Sequence, residues 1–142
     1  FLLAALLHDV GKAIDPAEHV KAGLEALEGL ITPRTEFLIE HHMEAHGYRV
    51  RVAVDGVEAL EQLRVERVDL VVADIQMPRM DGFRLIEEMK RDGRLQQLPV
   101  ILVTSMASEE DRRRGLELGA GAYIVKQKFD QRDLLETIEQ ML

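Results

Sequence analysis

The sequence predicts an α/β fold on a parallel sheet, and three observations carry that prediction. From about residue 47 onward, short apolar segments of strand period alternate with longer segments of helical period. The run Leu70-Val71-Val72-Ala73, between Asp69 and Asp74, is wholly apolar, as a strand covered on both faces must be. Polar residues capable of chemistry stand directly after three of the apolar segments, which is where open parallel sheets bind ligands.

The elements follow in order. Val50, Val52 and Val54 alternate with polar residues or Ala and mark a strand. A helix is expected over 57–64, with Leu60 and Leu63 on one face, and then the apolar strand over 69–74. A helix over 82–91 leads to Pro99 and the strand Val100-Ile101-Leu102-Val103. A helix over 108–118, a short strand over 122–125 and a last helix over 131–142 complete this half. Ahead of residue 47 no strand is expected. Leu2, Leu3, Leu6 and Leu7 form a helical stripe that Gly11 ends. Asp15-Pro16 supplies an N-cap and a first-turn proline for a helix through Glu28, closed by Gly29. Thr32-Pro33, with Glu36 near the capping-box position, opens a third helix that Gly47 terminates. Two domains result: a helical segment over 1–46 and an α/β segment over 47–142.

Composition narrows the function. Of 142 residues 46% are apolar, enough for a core and too many for a disordered chain. Lys and Arg number 18 against 26 Asp and Glu, and the net charge of −8 argues against a nucleic-acid partner and against an anionic membrane surface. There is no cysteine, which excludes disulfides and thiol catalysis and points to a cytoplasmic setting. The longest apolar run, residues 1–7, is too short to span a bilayer, and no basic segment precedes it as a signal peptide would require. An opening Phe in place of Met points to a fragment or a processed chain.

Asp74, Thr104 and Lys126 are the polar residues at the three strand ends. A carboxylate there can attack phosphorus, while a hydroxyl and an ammonium neutralise the transferred oxygens. The segments Asp55-Gly56-Val57-Glu58-Ala59-Leu60, Asp74-Ile75-Gln76-Met77-Pro78-Arg79-Met80-Asp81-Gly82, Pro99 to Thr104 and Gly119-Ala120-Gly121-Ala122-Tyr123-Ile124-Val125-Lys126 together resemble the response-regulator receiver family, the CheY-like module of phosphorelay signalling. The resemblance implies a flavodoxin-like sheet of order 2-1-3-4-5. It makes Asp74 the phosphoacceptor, Thr104 and Lys126 the phosphoryl contacts and Tyr123 the switch aromatic. Asp74 and the Gln76 carbonyl would face Mg²⁺, and the partner would be a histidine kinase. Gln127 stands where the family usually has proline. The family's first strand ends in two acidic residues, and counting back from Gly47 places them at Leu30 and Ile31. The first strand is therefore expected to be missing, Mg²⁺ to be held weakly, and Asp74 to take little phosphate.

Residues 1–46 resemble a second family, the HD-domain metal-dependent phosphohydrolases, through Leu6-Leu7-His8-Asp9-Val10-Gly11-Lys12, His19 with Ala22-Gly23, and Glu40-His41-His42-Met43. That resemblance implies His8 and Asp9 as ligands of a divalent transition metal, with His19 and His42 as candidates for a second ion. His41 and His46 read as helix surface. This site is incomplete too, because the family draws further ligands from helices that this chain does not carry. The expectation is a chimera, engineered or recombined, of an HD-type fragment and a truncated receiver, without the full activity of either and not an enzyme. A phosphohydrolase acting on a phosphate ester or nucleotide is the alternative.

The gap left by the missing strand needs filling. Gly29-Leu30-Ile31-Thr32 is short, and the Leu and Ala of residues 1–7 favour helix. Direct pairing of the flanking strands or exchange between chains is therefore expected, giving a homodimer.

Overall fold

A computed structural model describes residues 46–105, 107–126 and 131–142 together with the backbone of 2–5. Five parallel strands form one sheet: β1 (Leu2–Ala5), β2 (Val50–Val52), β3 (Leu70–Ala73), β4 (Val100–Thr104) and β5 (Ala122–Val125). Their spatial order is β2-β1-β3-β4-β5, the doubly wound order expected above. The described helices are α1 (Gly56–Val65), α2 (Gly82–Arg91), α3 (Glu109–Glu117) and α4 (Gln131–Met141).

The expectation of a missing first strand is corrected here. Leu2–Ala5 is that strand, paired with β2 from Leu2↔Val50 to Ala4↔Val52 and with β3 from Leu2↔Leu70 to Ala5↔Ala73. Leu and Ala do prefer helix, but only by tenths of a kcal/mol per residue. Two strands facing a vacant central position offer backbone groups that must find partners, and that demand outweighs the preference. With the central strand drawn from the same chain, the uncovered edge that called for a second molecule is gone. The three helices expected over 1–46 otherwise fall outside the described residues.

Strand period sorts the core into two layers. Val71 and Ala73 of β3, with Val100 and Leu102 of β4, face Leu60 and Leu63 of α1 and Phe83, Ile86 and Met89 of α2. Leu70 and Val72, with Ile101 and Val103, face Leu134, Leu135 and Ile138 of α4 on the other side. Leu134 and Ile138 lie one turn apart and are both fully buried. Each such side chain contributes about 1.5–3 kcal/mol. One capping device starts three helices. The side chains of Asp55, Asp81 and Ser108 accept from the backbone N–H groups of Glu58, Arg84 and Asp111 at 2.9, 2.7 and 3.0 Å. Among the described residues no helix is long and apolar enough to cross a membrane.

Gly82 seats α2 against the end of β3. Its N–H donates to the Ile75 carbonyl at 3.0 Å, and a Cβ there would stand 2.3 Å from the Asp74 carbonyl oxygen. The backbone that presents Asp74 is thus in direct contact with the first turn of α2.

Two substitutions check this arrangement by denaturant unfolding. Leu3→Pro removes a ladder donor from the central strand and is expected to cost about 3 kcal/mol or more. Gly82→Ala is expected to cost about 1–3 kcal/mol through the backbone clash. Gly93→Ala, with nothing within 4 Å, should stay within about 0.5 kcal/mol of the parent.

Candidate functional site

Asp74 follows β3 directly and is only 5% exposed. Its Oδ1 accepts from the Gln76 backbone N–H at 3.0 Å, and its Oδ2 is ion-paired with Lys126 Nζ. Lys126 follows β5, and its side chain is 13% exposed, so both charges sit nearly out of water. Thr104 closes β4 opposite Val125 and is fully buried. Sequence spacing had placed these three residues at strand ends, and the sheet order brings those ends side by side. A carboxylate beside an ammonium and a hydroxyl can bind a phosphoryl group and balance its charge.

Tyr123 is half-buried on β5, on the face that carries α3. A Cβ on Gly115 of α3 would stand 2.9 Å from Leu102 Cδ1 and 3.2 Å from Tyr123 Cδ2, so the absent side chain is what lets helix and strands approach. Burial, with added repulsion from Asp111 and Asp74, pushes the Tyr123 hydroxyl above its ordinary pKa. The phenol stays neutral and able to donate.

Two side-chain links were not foreseen. Ser105 Oγ donates to Gln76 Oε1 at 2.9 Å, joining the loop after β4 to the loop after β3. Arg79, in the loop after β3, holds a φ of 62° and donates through Nε to Asp55 Oδ2 at 2.5 Å. Asp55 is buried and also caps α1. Burial alone would raise its pKa, but the Arg79 guanidinium and the Glu58 amide outweigh that, and the carboxyl ends below its ordinary value. Asp55-x-x-Glu58 is a readable capping signal. Nothing local in the sequence announces its partner in the next loop.

Among the described residues no group of three or more His, Cys, Asp or Glu could hold a metal ion. The HD-type candidates His8, Asp9, His19 and His42 lie outside the described residues, as does Gln127. Asp74 and Gln76 remain as hard oxygen donors, a set suited to Mg²⁺ rather than to a soft transition metal.

Residues 32–139 match the family profile described as the response regulator receiver domain. The chain is 39% identical over 99 residues to the gliding motility regulatory protein of Myxococcus xanthus, across 70% of this chain and 13% of that protein. It is 36% identical over 105 residues to the probable transcriptional regulator ycf27 of Cyanophora paradoxa, across 74% of this chain and 42% of that one. The chain thus spans less than half the length of either relative. Among solved structures, the receiver domain of the sensor histidine kinase PA1611 from Pseudomonas aeruginosa PAO1, described with magnesium in its active-site cleft, superposes with a TM-score of 0.70. Identity is 26%, and the match covers 78% of this chain and 89% of that one.

The Arg79–Asp55 link has a pH signature. Because the folded-state pKa of Asp55 is lowered from 3.8, the stability it brings is complete above that value and is lost as pH falls through the lower folded-state value. Urea unfolding at stepped pH should therefore show wild type ahead of Arg79→Ala near neutrality and the gap closing in acid. Arg79→Gly should be about 1 kcal/mol more stable than Arg79→Ala, since glycine accepts the left-handed backbone.

Proposed function

Because the chain belongs to the response regulator receiver family, we propose that Asp74 is the phosphoacceptor of a two-component phosphorelay. The buried Asp74–Lys126 pair, with Thr104 on the strand between, is the observation that carries this reading. Receiver domains typically pair with histidine kinases, and a phosphohistidine is the fitting donor. An Asp74 carboxylate oxygen attacks phosphorus, the P–N bond breaks, and the imidazole leaves as an acyl phosphate forms. Lys126 shifts from the carboxylate to the phosphoryl oxygens, and Thr104 donates to them. Tyr123 is the aromatic that follows this change.

Receiver domains hold Mg²⁺ in this cleft. Asp74 and Gln76 would hold it here, and when bound it neutralises charge on the phosphoryl oxygens. A single described carboxylate makes for weak binding. The first carboxylate after β1 in the sequence is Asp9, preceded by His8, and Asp9 is the candidate for a further ligand. On this reading the HD-type segment of a composite chain supplies both the central strand and the acidic residue behind it. His19 and His42 stay candidates for a transition metal. The net charge of −8 speaks against direct nucleic-acid contact by these residues. It leaves open an output of the kind that the name of the ycf27 relative describes, so the broader expectation of no nucleic-acid partner is withdrawn.

Incubation with acetyl phosphate and millimolar Mg²⁺, read by intact mass, tests the reading. One phosphoryl group should be added, and none in Asp74→Asn. Lys126→Ala should slow labelling by about 100-fold, and Asp9→Asn should raise the Mg²⁺ requirement. Labelling that persists in Asp74→Asn would refute the assignment.

A further inference from the structure

At the end of the sheet opposite Asp74, a cavity of about 590 Å³ opens among Tyr48, Arg49, Asp69, Pro99, Met141 and Leu142. Its size is that of a small-molecule site, about 300–1,000 Å³. The entries to β2, β3 and β4 and the end of α4 build it together. Its apolar wall is anchored, because Tyr48 and Met141 both pack on the core layer beneath α4. Met141 also lies over Gly121, where a Cβ would collide with its Cε. The charges are placed by register. Arg49 and Asp69 immediately precede Val50 and Leu70, and both of those pair with Leu2 of β1. A cation and an anion therefore stand level on either side of the central strand, two strand spacings or about 10 Å apart at the backbone. We propose that this cavity binds a free α-amino acid with an apolar side chain. The Arg49 guanidinium takes the carboxylate, Asp69 takes the ammonium, and the side chain lies on Tyr48, Pro99 and Met141. Arg49 and Asp69 already hold other contacts, and a guanidinium and a carboxylate have donors and acceptors to spare. A pure anion meets repulsion from Asp69 and a pure cation meets it from Arg49, whereas a zwitterion is attracted by both. The inference is independent of the role of Asp74.

Saturation-transfer NMR on the full chain tests this with L-phenylalanine and three analogues. Phenylpropionate lacks the ammonium, phenethylamine lacks the carboxylate, and glycine lacks the apolar group. Arg49 and Asp69 are exposed, so their charges are partly screened, and L-phenylalanine should bind with a dissociation constant of about 1 mM. Each analogue should bind about tenfold more weakly. This series on the wild type tests the proposal without any substitution. Arg49→Gln should then erase the preference over phenethylamine and keep most of that over phenylpropionate, and Asp69→Asn should do the reverse. A merely structural role for either residue would not produce that crossed pattern. L-phenylalanine that fails to bind the wild type at about 10 mM overturns the proposal. So do analogues that bind as well as L-phenylalanine, or preferences that survive both substitutions.

Discussion

The ion pair between Asp74 and Lys126 is the interaction around which the rest of the structure is arranged. Both groups are nearly out of water, and removing two charges from solvent costs several kcal/mol apiece before their attraction returns any of it. Such a pair is a poor way to stabilise a fold. It persists because β3, β4 and β5 run parallel and adjacent, which holds the carboxyl ends of the strands at one edge. The buried apolar strands on either side, with Leu70 to Ala73 and Val100 to Val103 at most 1% exposed, supply the stability that the pair does not. A cation already held against the carboxylate is charge compensation in place before any anion arrives. That is the arrangement phosphoryl chemistry needs.

That edge exists only if the sheet is continuous, and continuity depends on four residues at the start of the chain. Elements from β2 to α4 were legible in the sequence because each carries its own period and its own stops: Pro99 before β4, Ser108 before α3, Gly82 at the start of α2. Leu2–Ala5 was not, because nothing in Leu-Leu-Ala-Ala distinguishes a strand from the opening of a helix. Its conformation is set by the vacancy between β2 and β3, which is information about residues 50–52 and 70–73 rather than about residues 2–5. The vacancy itself could be read from the sequence. The segment that fills it is separated from β2 by some forty residues, and local propensity pointed the wrong way.

The site divides along the same line. The positions of Asp74, Thr104 and Lys126 were legible because each stands at the end of an apolar strand run, so the strands themselves say where these side chains lie. The links that border the site were not. Arg79 meets Asp55 across 24 residues and Ser105 meets Gln76 across 29, and both contacts belong to loop geometry that no periodicity encodes. Arg79 is the clearer case. An arginine in the left-handed region is disfavoured on its own; here it is held by the turn in which the Met80 N–H donates to the Pro78 carbonyl and by its side chain on the buried Asp55 carboxylate.

These links constrain how the site can respond. The loop from Asp74 to Asp81 is held at three points: Gln76 to Ser105, Arg79 to Asp55, and the Gly82 N–H on the Ile75 carbonyl. A loop tethered so often behaves as part of the frame, and a charge change at Asp74 is therefore not absorbed there. The other side is built differently. Thr104 and Ser105 lead into the loop ahead of α3, and Gly115 is the sole buried residue of that helix. With one buried contact under α3, and with Tyr123 pressed against that contact, the β4–α3 side has the least packing energy to lose when it moves. Ser105 belongs to the more lightly packed side and Gln76 to the tethered one. The hydrogen bond between them thus lies on the boundary where a response to Asp74 would first be felt.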